Sequence, residues 1–279
     1  HVTVALSGDG GDELFGGYNR YHVGMRLLGI TSKIPYVLRQ GLAQGLQGIA
    51  PSSWDWLLRG VDPWLPRKHR GLATGEKIHK LAGFLTAGSP EEFYHRAVFH
   101  WNPASILANG HCLAMPERNP GSMSTITEGA PRMMLLDLTN YLPDDILVKT
   151  DRASMGASLE LRAPLLDHRV LEFAWSLPTE MKIQKQAGKV ILRRLLDRYV
   201  PQALVNRPKQ GFGVPIGDWL RGPLRPWAEE LLSVNRLQRE GLLLAAPIRA
   251  KWEDHLSGKH NWQHHLWDIL MFQAWREHS

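Results

Sequence analysis

Residues 2–18, VTVALSGDGGDELFGGY, join a short apolar run to a segment rich in glycine and acidic residues. The run Val2–Leu6 is rich in β-branched residues and precedes Ser-Gly, which is typical of a buried strand in a parallel sheet. Five glycines, three acidic residues and one serine follow between residues 7 and 17. Such a turn can bind an anion through its backbone N–H groups. On this stretch alone, an ordinary strand-to-helix turn with surface acids explains the pattern equally well.

Two familiar phosphate-binding motifs are absent from this stretch. A Walker A loop ends in Gly-Lys-Ser/Thr, and no such sequence follows here. The dinucleotide-binding fingerprint needs a third glycine, but Gly8 and Gly10 are followed by Glu13 at that position. Mg2+ favours one or two carboxylates together with phosphate oxygens. The acidic residues Asp9, Asp12 and Glu13 are therefore candidate magnesium ligands.

The composition is that of a globular protein, since 43% of the 279 residues are hydrophobic and 22% are charged. The net charge of +6 permits an anionic partner, but the Lys and Arg residues form no long run, which argues against nucleic acid. The single cysteine, Cys112, excludes an internal disulfide and is typical of a reducing compartment. Without a signal peptide or a long apolar run, the sequence predicts a cytoplasmic protein that does not contact a membrane.

Most of the remaining chain has helical periodicity, so the residues predict one short strand followed by a mostly helical body. Residues 102–131 are rich in Gly, Pro, Asn and Ser and are predicted to form a long loop. The eleven tryptophans lie at helical spacings and are predicted to be core residues. The predicted helices cover about 20–50, begin at the cap Ser89, cover 132–141, run from Pro143 to about Ser158, begin at the cap Asp167, and occupy GKVILRRLLDRYVP up to Pro201.

A second group of charged residues lies between positions 149 and 167. Lys149 and Glu160 are separated by about three helical turns and would share a face if the helix persisted. Structural ion pairs explain most of this group better than catalysis does. The members are Lys149, Asp151, Arg152, Glu160, Arg162 and Asp167.

Three further features are weak by themselves. Lys209, in the loop RPKQGF, has the reach and compact charge that suit phosphate, although a lone lysine is usually solvated. His260 and His264 have the helical spacing of metal ligands, but no carboxylate or cysteine completes a set. The chain contains no G-x-S-x-G sequence and no motif around Cys112, so nucleophilic hydrolysis has no support.

Three motifs taken together carry a family resemblance. LSGDGGDELFGGY, LPDDILVKTDRASMGASLELRAPLLDH and RPKQGFGVPI follow one another in this order, with a helical body between the first two. In this respect nearly the whole chain resembles the synthetase domain of glutamine-hydrolysing asparagine synthetases. The resemblance implies an α/β fold of the PP-loop ATP-pyrophosphatase type. In this chain it would be predominantly helical, with a partial parallel sheet. It also implies that ATP activates a carboxylate as an acyl-adenylate, which ammonia from glutamine then converts to an amide.

The same resemblance implies roles for individual residues. Asp12 would bind Mg2+, while Ser7, Gly8, Asp9 and Gly10 would line the cleft for ATP and the carboxylate substrate, aspartate or a relative. Lys209 would stabilise the departing pyrophosphate. Glu160, in LELRAP, matches a family glutamate near the reacting centre and would accept protons from the attacking amine. The supporting residues would be Glu13, Lys149, Asp151, Arg162 and Asp167.

The chain also departs from the family pattern. The family's phosphate loop, Ser-Gly-Gly-x-Asp-Ser, is absent, as is the amino-terminal glutaminase domain with its leading cysteine. The chain also begins at His1, inside the strand-like run. We therefore expect residues 1–279 to be the carboxy-terminal portion of a synthetase domain. We further expect its sheet to lack strands, its open edge to permit a homodimer, and the isolated chain to be inactive.

Other functions stay open at this stage. Related enzymes on the same scaffold amidate sugar acids or close β-lactam rings. Asp9 replaces the glutamate of the common SGEGSDE motif, which is compatible with a different acceptor. A non-catalytic helical binding module is an alternative from another class. A PP-loop protein that modifies tRNA is disfavoured because neither a cysteine cluster nor an RNA-binding appendage is visible.

Overall fold

The computed structural model describes residues 2–61, 74–108, 129–184, 187–205 and 213–278. This part of the chain is mostly helical and contains one small parallel sheet, which confirms the coarse fold prediction. In chain order, the strands are β1 (Val4–Leu6) and β2 (Glu160–Arg162). The helices are α1 (Gly11–Phe15), α2 (Asn19–Thr31), α3 (Tyr36–Gly48), α4 (Pro51–Val61), α5 (Gly75–Leu85), α6 (Pro90–Val98), α7 (Gly129–Leu136), α8 (Val148–Met155), α9 (His168–Ser176), α10 (Thr179–Lys182), α11 (Val190–Leu196), α12 (Gln202–Val205), α13 (Ile216–Arg221), α14 (Arg225–Leu231), α15 (Val234–Glu240), α16 (Ala245–Leu256) and α17 (Gln263–Glu277).

The sheet pairs β1 with β2 in parallel, with Ala5 opposite Leu161. Two flanking bonds extend the pairing: Glu160 N–H donates to Thr3 O at 2.9 Å, and Ser7 N–H donates to Arg162 O at 2.8 Å. The strand predicted for 2–6 is confirmed at Val4–Leu6, but its predicted burial is wrong, since the exposed fraction of Leu6 is 74%. The physical reason is that strands of one sheet pair edge to edge, so the side chains on a face are buried only where another element packs on that face. In the described part of the chain no third strand joins them.

The predicted break at Pro143 does not occur. Residues 129–155 form one continuous helical run, in which Asp137–Leu147 adopts the wider turns of a π-helix between α7 and α8. A proline in an α-helix loses one hydrogen bond and clashes with a preceding carbonyl. The wider hydrogen-bond register lets the run pass through Pro143. The helical pattern predicted for about 20–50 is confirmed by α2 and α3, which are separated by a short break just before Pro35.

Lys149 and Glu160 do not share a helix face. The helical run ends at Met155, and Ser158 adopts a left-handed backbone conformation with φ of 56°. Glu160 then lies on β2. The two predicted caps are confirmed: Asp167 accepts the Arg169 N–H at 2.9 Å, and Ser89 Oγ accepts the Glu92 N–H at 3.1 Å.

The described residues form two compact units. The first unit contains residues 2–34, 87–98, 129–184 and 187–205. Within it, α2, α6 and α7 pack together and bury Tyr21, Phe93 and Met133. Helix α1 packs against α9 and α11, and Leu14 and Phe15 are buried there. These contacts fix the glycine- and acid-rich segment to a hydrophobic core.

The second unit contains residues 35–61, 74–86, 99–108 and 213–278. Its main core is built from α13 to α17 around the fully buried Trp252. The prediction that tryptophans form the core is correct for Trp252 but wrong for Trp56 and Trp275, whose exposed fractions are 74% and 63%. None of the helices described here has the length and apolar character needed to cross a membrane.

Candidate functional site

The loop that follows β1 is shaped by its glycines. Gly10 adopts a left-handed conformation with φ of 86° immediately before α1. A Cβ atom at this position would lie 2.2 Å from Cδ2 of Leu166, so both the conformation and the packing require glycine. The hydroxyl of Ser7 donates a hydrogen bond to Oδ2 of Asp9 at 2.9 Å. The loop therefore holds a serine and a carboxylate together at the carboxyl end of β1.

An open cleft of about 400 Å³ lies beside this loop. Ser7 follows β1 and Ala163 follows β2, so the cleft opens at the carboxyl ends of both parallel strands. The opposite wall comes from the π-helical segment and α8, which bring Asp151 and Arg152 to the cleft. The full lining is Ser7, Asp9, Pro143, Leu147, Val148, Thr150, Asp151, Arg152, Leu161 and Ala163. A cleft of this size accommodates a small-molecule ligand, and its polar groups include charges of both signs.

Asp12 is held by a lysine that the sequence analysis did not single out. The ammonium of Lys189 lies 2.9 Å from Asp12 Oδ2, and both side chains are partly exposed. Oδ1 of Asp12 is buried and has no hydrogen-bond partner in the described part of the chain. Lys189 itself adopts a left-handed conformation with φ of 56° at the start of α11. This conformation is uncommon for a residue with a long side chain.

Glu13 faces the interior of the first unit. Its side chain is buried and accepts a hydrogen bond from the Tyr18 hydroxyl at 2.7 Å. Burial raises the pKa of the Glu13 carboxyl, while the Tyr18 hydrogen bond acts in the opposite direction. Burial also raises the pKa of Tyr18, and the bond to Glu13 adds to this effect. Glu13 thus anchors α1 to its surroundings rather than facing the cleft.

A second buried carboxylate lies deeper in the same unit. Asp137 is fully buried and accepts two hydrogen bonds from Arg20, at 3.0 and 2.6 Å, and one from the Tyr21 hydroxyl. The Arg20 guanidinium also lies over the ring of Tyr18, 3.9 Å from its centroid. Burial raises the pKa of Asp137, and the Arg20 hydrogen bonds oppose this effect. The network joins the region after α1 to the start of the π-helical segment.

Several predicted site residues lie away from the cleft. Glu160 and Arg162 are exposed and pair with each other at 2.7 Å. Lys149 is exposed on α8, and Asp167 pairs with Arg169, whose hydrogen bonds lower the pKa of the Asp167 carboxyl. Lys209 and Cys112 lie outside the described residues. The cleft therefore brings together Ser7, Asp9 and Asp151 of the predicted set.

The structure also shows residues that sequence reasoning missed, namely Lys189, Arg20, Tyr18 and Asp137. The sequence places Lys189 at the start of a predicted helix, and the Gly188–Lys189 pair is a weak signal of its role. Asp137 interrupts an apolar helical stretch, which is a weak signal of a buried polar partner. For the predicted histidine pair, no group of three or more His, Cys, Asp or Glu is arranged to hold a metal ion within the described ranges.

Comparison with known proteins shows that the chain belongs to the asparagine synthase family, whose sequence model matches residues 1–277. Asparagine synthetase [glutamine-hydrolyzing] 1 of Bacillus subtilis is 31% identical over 278 residues, which cover 99% of this chain and 40% of that protein. A putative glutamine-hydrolysing asparagine synthetase of Mycobacterium tuberculosis H37Rv is 33% identical over 291 residues, with coverage of 100% and 40%.

A more distant relative, the human glutamine-hydrolysing asparagine synthetase, is 29% identical over 146 residues, which cover 46% of this chain and 25% of that protein. No solved structure gives a significant match. The chain thus spans about 40% of the length of the first two curated relatives named above.

Proposed function

We propose that this chain supplies the amide-forming cleft of an ATP-dependent, glutamine-hydrolysing asparagine synthetase. Family membership and the names of the relatives support the reaction class. The observation that carries the proposal is the cleft at the carboxyl ends of β1 and β2, lined by Ser7 and Asp9. In open α/β sheets, ligands bind outside the carboxyl ends of parallel strands. The PP-loop fold type and the role of residues 1–279 as the carboxy-terminal portion of a synthetase domain are parts of this proposal.

The proposed reaction has two steps. In the first, a carboxylate oxygen of the acceptor attacks the α-phosphorus of ATP, and pyrophosphate leaves. In the second, the nitrogen of ammonia attacks the acyl carbon, AMP leaves, and the amine loses a proton. The chain's residues must therefore bind an anionic nucleotide and a carboxylate, and they must accept a proton.

The cleft residues suit these tasks. Arg152 supplies a positive charge that can pair with a carboxylate or phosphate. Ser7 holds Asp9 in a fixed orientation, and Asp9 lines the cleft, where it can accept the proton from the amine. The role implied for Glu160 would require its pair with Arg162 to open. Lys209, on the pyrophosphate side, and Gly8 and Gly10, beside the nucleotide, keep their proposed roles.

Magnesium is a further part of the proposal. Oδ1 of Asp12 is a buried carboxylate oxygen without a hydrogen-bond partner among the described residues, so it retains the capacity to bind a cation. One carboxylate together with phosphate oxygens is a donor set that Mg2+ accepts. When bound, the ion would neutralise negative charge on the phosphates as pyrophosphate departs.

Partners and acceptor follow from the same relatives. Aspartate is the proposed acceptor, and ammonia would come from a glutaminase domain in the remaining length that the relatives have. Amidation of a sugar acid is the second candidate within the reaction class. A homodimer through the open edge of β1 is also proposed, because in the described part of the chain β1 pairs with β2 alone. Residues 1–279 alone are expected to form no amide.

The test uses the protein encoded by the complete gene that contains this chain. Pyrophosphate release is measured with ATP, ammonia and either aspartate or a sugar acid, and the amide product is identified by mass spectrometry. We expect aspartate-dependent pyrophosphate release and asparagine formation, with both strongly reduced in Asp9→Asn. The Lys33→Met variant changes an exposed residue outside the cleft and serves as the control. Mg-ATP binding without any acceptor-dependent pyrophosphate release would favour the binding-module alternative.

A further inference from the structure

Lys189 is built into the glycine- and acid-rich loop. Its ammonium pairs with Asp12 at 2.9 Å, and its backbone N–H donates to the Phe15 carbonyl at 2.8 Å, at the end of α1. The preceding residue, Gly188, packs so closely that a Cβ atom there would lie 2.0 Å from the Gly16 oxygen. The backbone at 188–189 is therefore seated directly on the backbone at 16–17.

The glycines of the loop leave room for the lysine side chain. A Cβ atom at Gly17 would lie 2.3 Å from Cε of Lys189, and one at Gly11 would lie 3.7 Å from its Nζ. The side chain thus follows the surface of α1 through a space that larger residues would fill. Gly17 is thus explained by the Lys189–Asp12 pair, because a Cβ atom there would collide with both side chains, whereas one at Gly11 would only touch the ammonium.

The backbone of Lys189 is strained. Lys189 has φ of 56°, a conformation that costs free energy for any residue with a Cβ atom. Asparagine or glycine would adopt it with less strain. A lysine held in this conformation by its surroundings, with its ammonium on a single carboxylate, indicates that the charge itself has a role.

We propose that Lys189 is a positioning residue that acts as the resident counter-ion of Asp12 and is exchanged for the divalent cation when the nucleotide binds. The inference rests on the proposed role of Asp12 as a magnesium ligand. The ammonium neutralises Oδ2 and orients the carboxylate while the ion is absent. Because the two cations compete for one carboxylate and repel each other, Lys189 sets the apparent affinity for the metal.

The test measures metal binding rather than turnover. Mn2+ replaces Mg2+, and free Mn2+ is followed by electron paramagnetic resonance in the presence of an ATP analogue with a non-cleavable α,β-methylene bridge. The complete protein is compared with Lys189→Met, Lys189→Arg and Asp12→Asn. Lys189→Gly is the second deletion of the ammonium, chosen because glycine suits the left-handed backbone and preserves the fold. Lys33→Met, at an exposed position, is the control.

We expect the Met and Gly variants to bind Mn2+ about fivefold more tightly than the wild type, because an opposing charge beside the ligand is lost. The Arg variant and the Lys33 control should match the wild type, and Asp12→Asn should bind more weakly. Unchanged affinity in both deletion variants, with weakened binding in Asp12→Asn, would overturn the inference while retaining the metal site. Unchanged Mn2+ affinity in Asp12→Asn would show that Asp12 does not bind the metal, and the inference about Lys189 would then be overturned as well.

Discussion

Arg20 and Asp137, which lie 117 residues apart in the sequence, form a two-pronged ion pair inside the first unit. Asp137 is fully buried, and the Arg20 side chain is 18% exposed. The Tyr21 hydroxyl is a third donor to the same carboxylate. This pair fixes α2 against the π-helical segment, which together with α8 forms one wall of the cleft.

Removing one member of this pair should destabilise the first unit. Arg20→Met leaves the buried Asp137 carboxylate without its cation, which should lower the free energy of unfolding by about 3 kcal/mol. The Arg20→Met/Asp137→Leu double variant removes both charges and should lose less than the sum of the two single changes. Urea denaturation measures the free energy of unfolding of Arg20→Met, Asp137→Leu and the double variant. Arg26→Met, at an exposed position, is the control. Additive losses would show that the two residues do not interact.

Two glycines of one loop should respond differently to replacement by alanine. Gly10→Ala should lower the free energy of unfolding by about 2 kcal/mol, because a Cβ atom there is both strained by φ of 86° and 2.2 Å from Leu166. Gly8→Ala is the matched control, since a Cβ atom there meets nothing within 4 Å. Thermal unfolding of the two variants compares them directly. Equal melting temperatures would contradict the left-handed turn at Gly10.

The second unit should lose stability on acidification. His255 is fully buried; its Nδ1 accepts the backbone N–H of Trp262 at 3.2 Å, and its Nε2 lies 3.1 Å from the Gly217 carbonyl oxygen. Burial lowers the pKa of His255, and Arg221 adds to this effect. Burial, aided by Lys251, lowers the pKa of His265 to about 3. Below pH ~6.5 the histidines of the unfolded chain therefore bind protons, whereas those of the folded unit stay neutral. The free energy of unfolding consequently decreases as the pH is lowered.

For His265 alone this loss should amount to about 2 kcal/mol between pH 7 and pH 5, and His255 should add to it in the same direction. Urea midpoints are measured by tryptophan fluorescence, because Trp252 stacks on His255 with ring centroids 6.3 Å apart. His255→Gln should show a shallower pH dependence than the wild type, whereas His278→Gln, at an exposed position, should not. A midpoint that is the same at both pH values would show that these imidazoles are not buried in the neutral form.

The sequence predicts local features of this fold well. The strand at β1 and the caps Ser89 and Asp167 depend on a few neighbouring residues, so the pattern was sufficient. The helix break predicted at Pro143 is wrong because the π-helical turns that accommodate this proline have no sequence signature of their own. The exposure of β1 could not be predicted, since burial depends on which elements cover a strand rather than on its composition.

The residues of the candidate site also fall into those that the sequence predicts and those that only the structure shows. Ser7, Asp9 and Asp151 could be nominated because they belong to motifs with a family resemblance, and the structure places them on one cleft. The Lys189–Asp12 pair could not, because it depends on a contact between two segments that are remote in sequence. Glu160 shares the second motif but points away from the cleft, since alternate residues of a strand face opposite sides.

We propose that the cleft beside Ser7 and Asp9 supports amide formation through an acyl-adenylate. The direct measurement supplies the complete protein with aspartate labelled with 18O in its side-chain carboxylate, together with ATP and ammonia, and analyses the nucleotide product by mass spectrometry. We expect AMP that carries one 18O atom transferred from the carboxylate, with unlabelled pyrophosphate. Release of ADP with 18O in inorganic phosphate would instead demonstrate an acyl-phosphate intermediate and contradict the account.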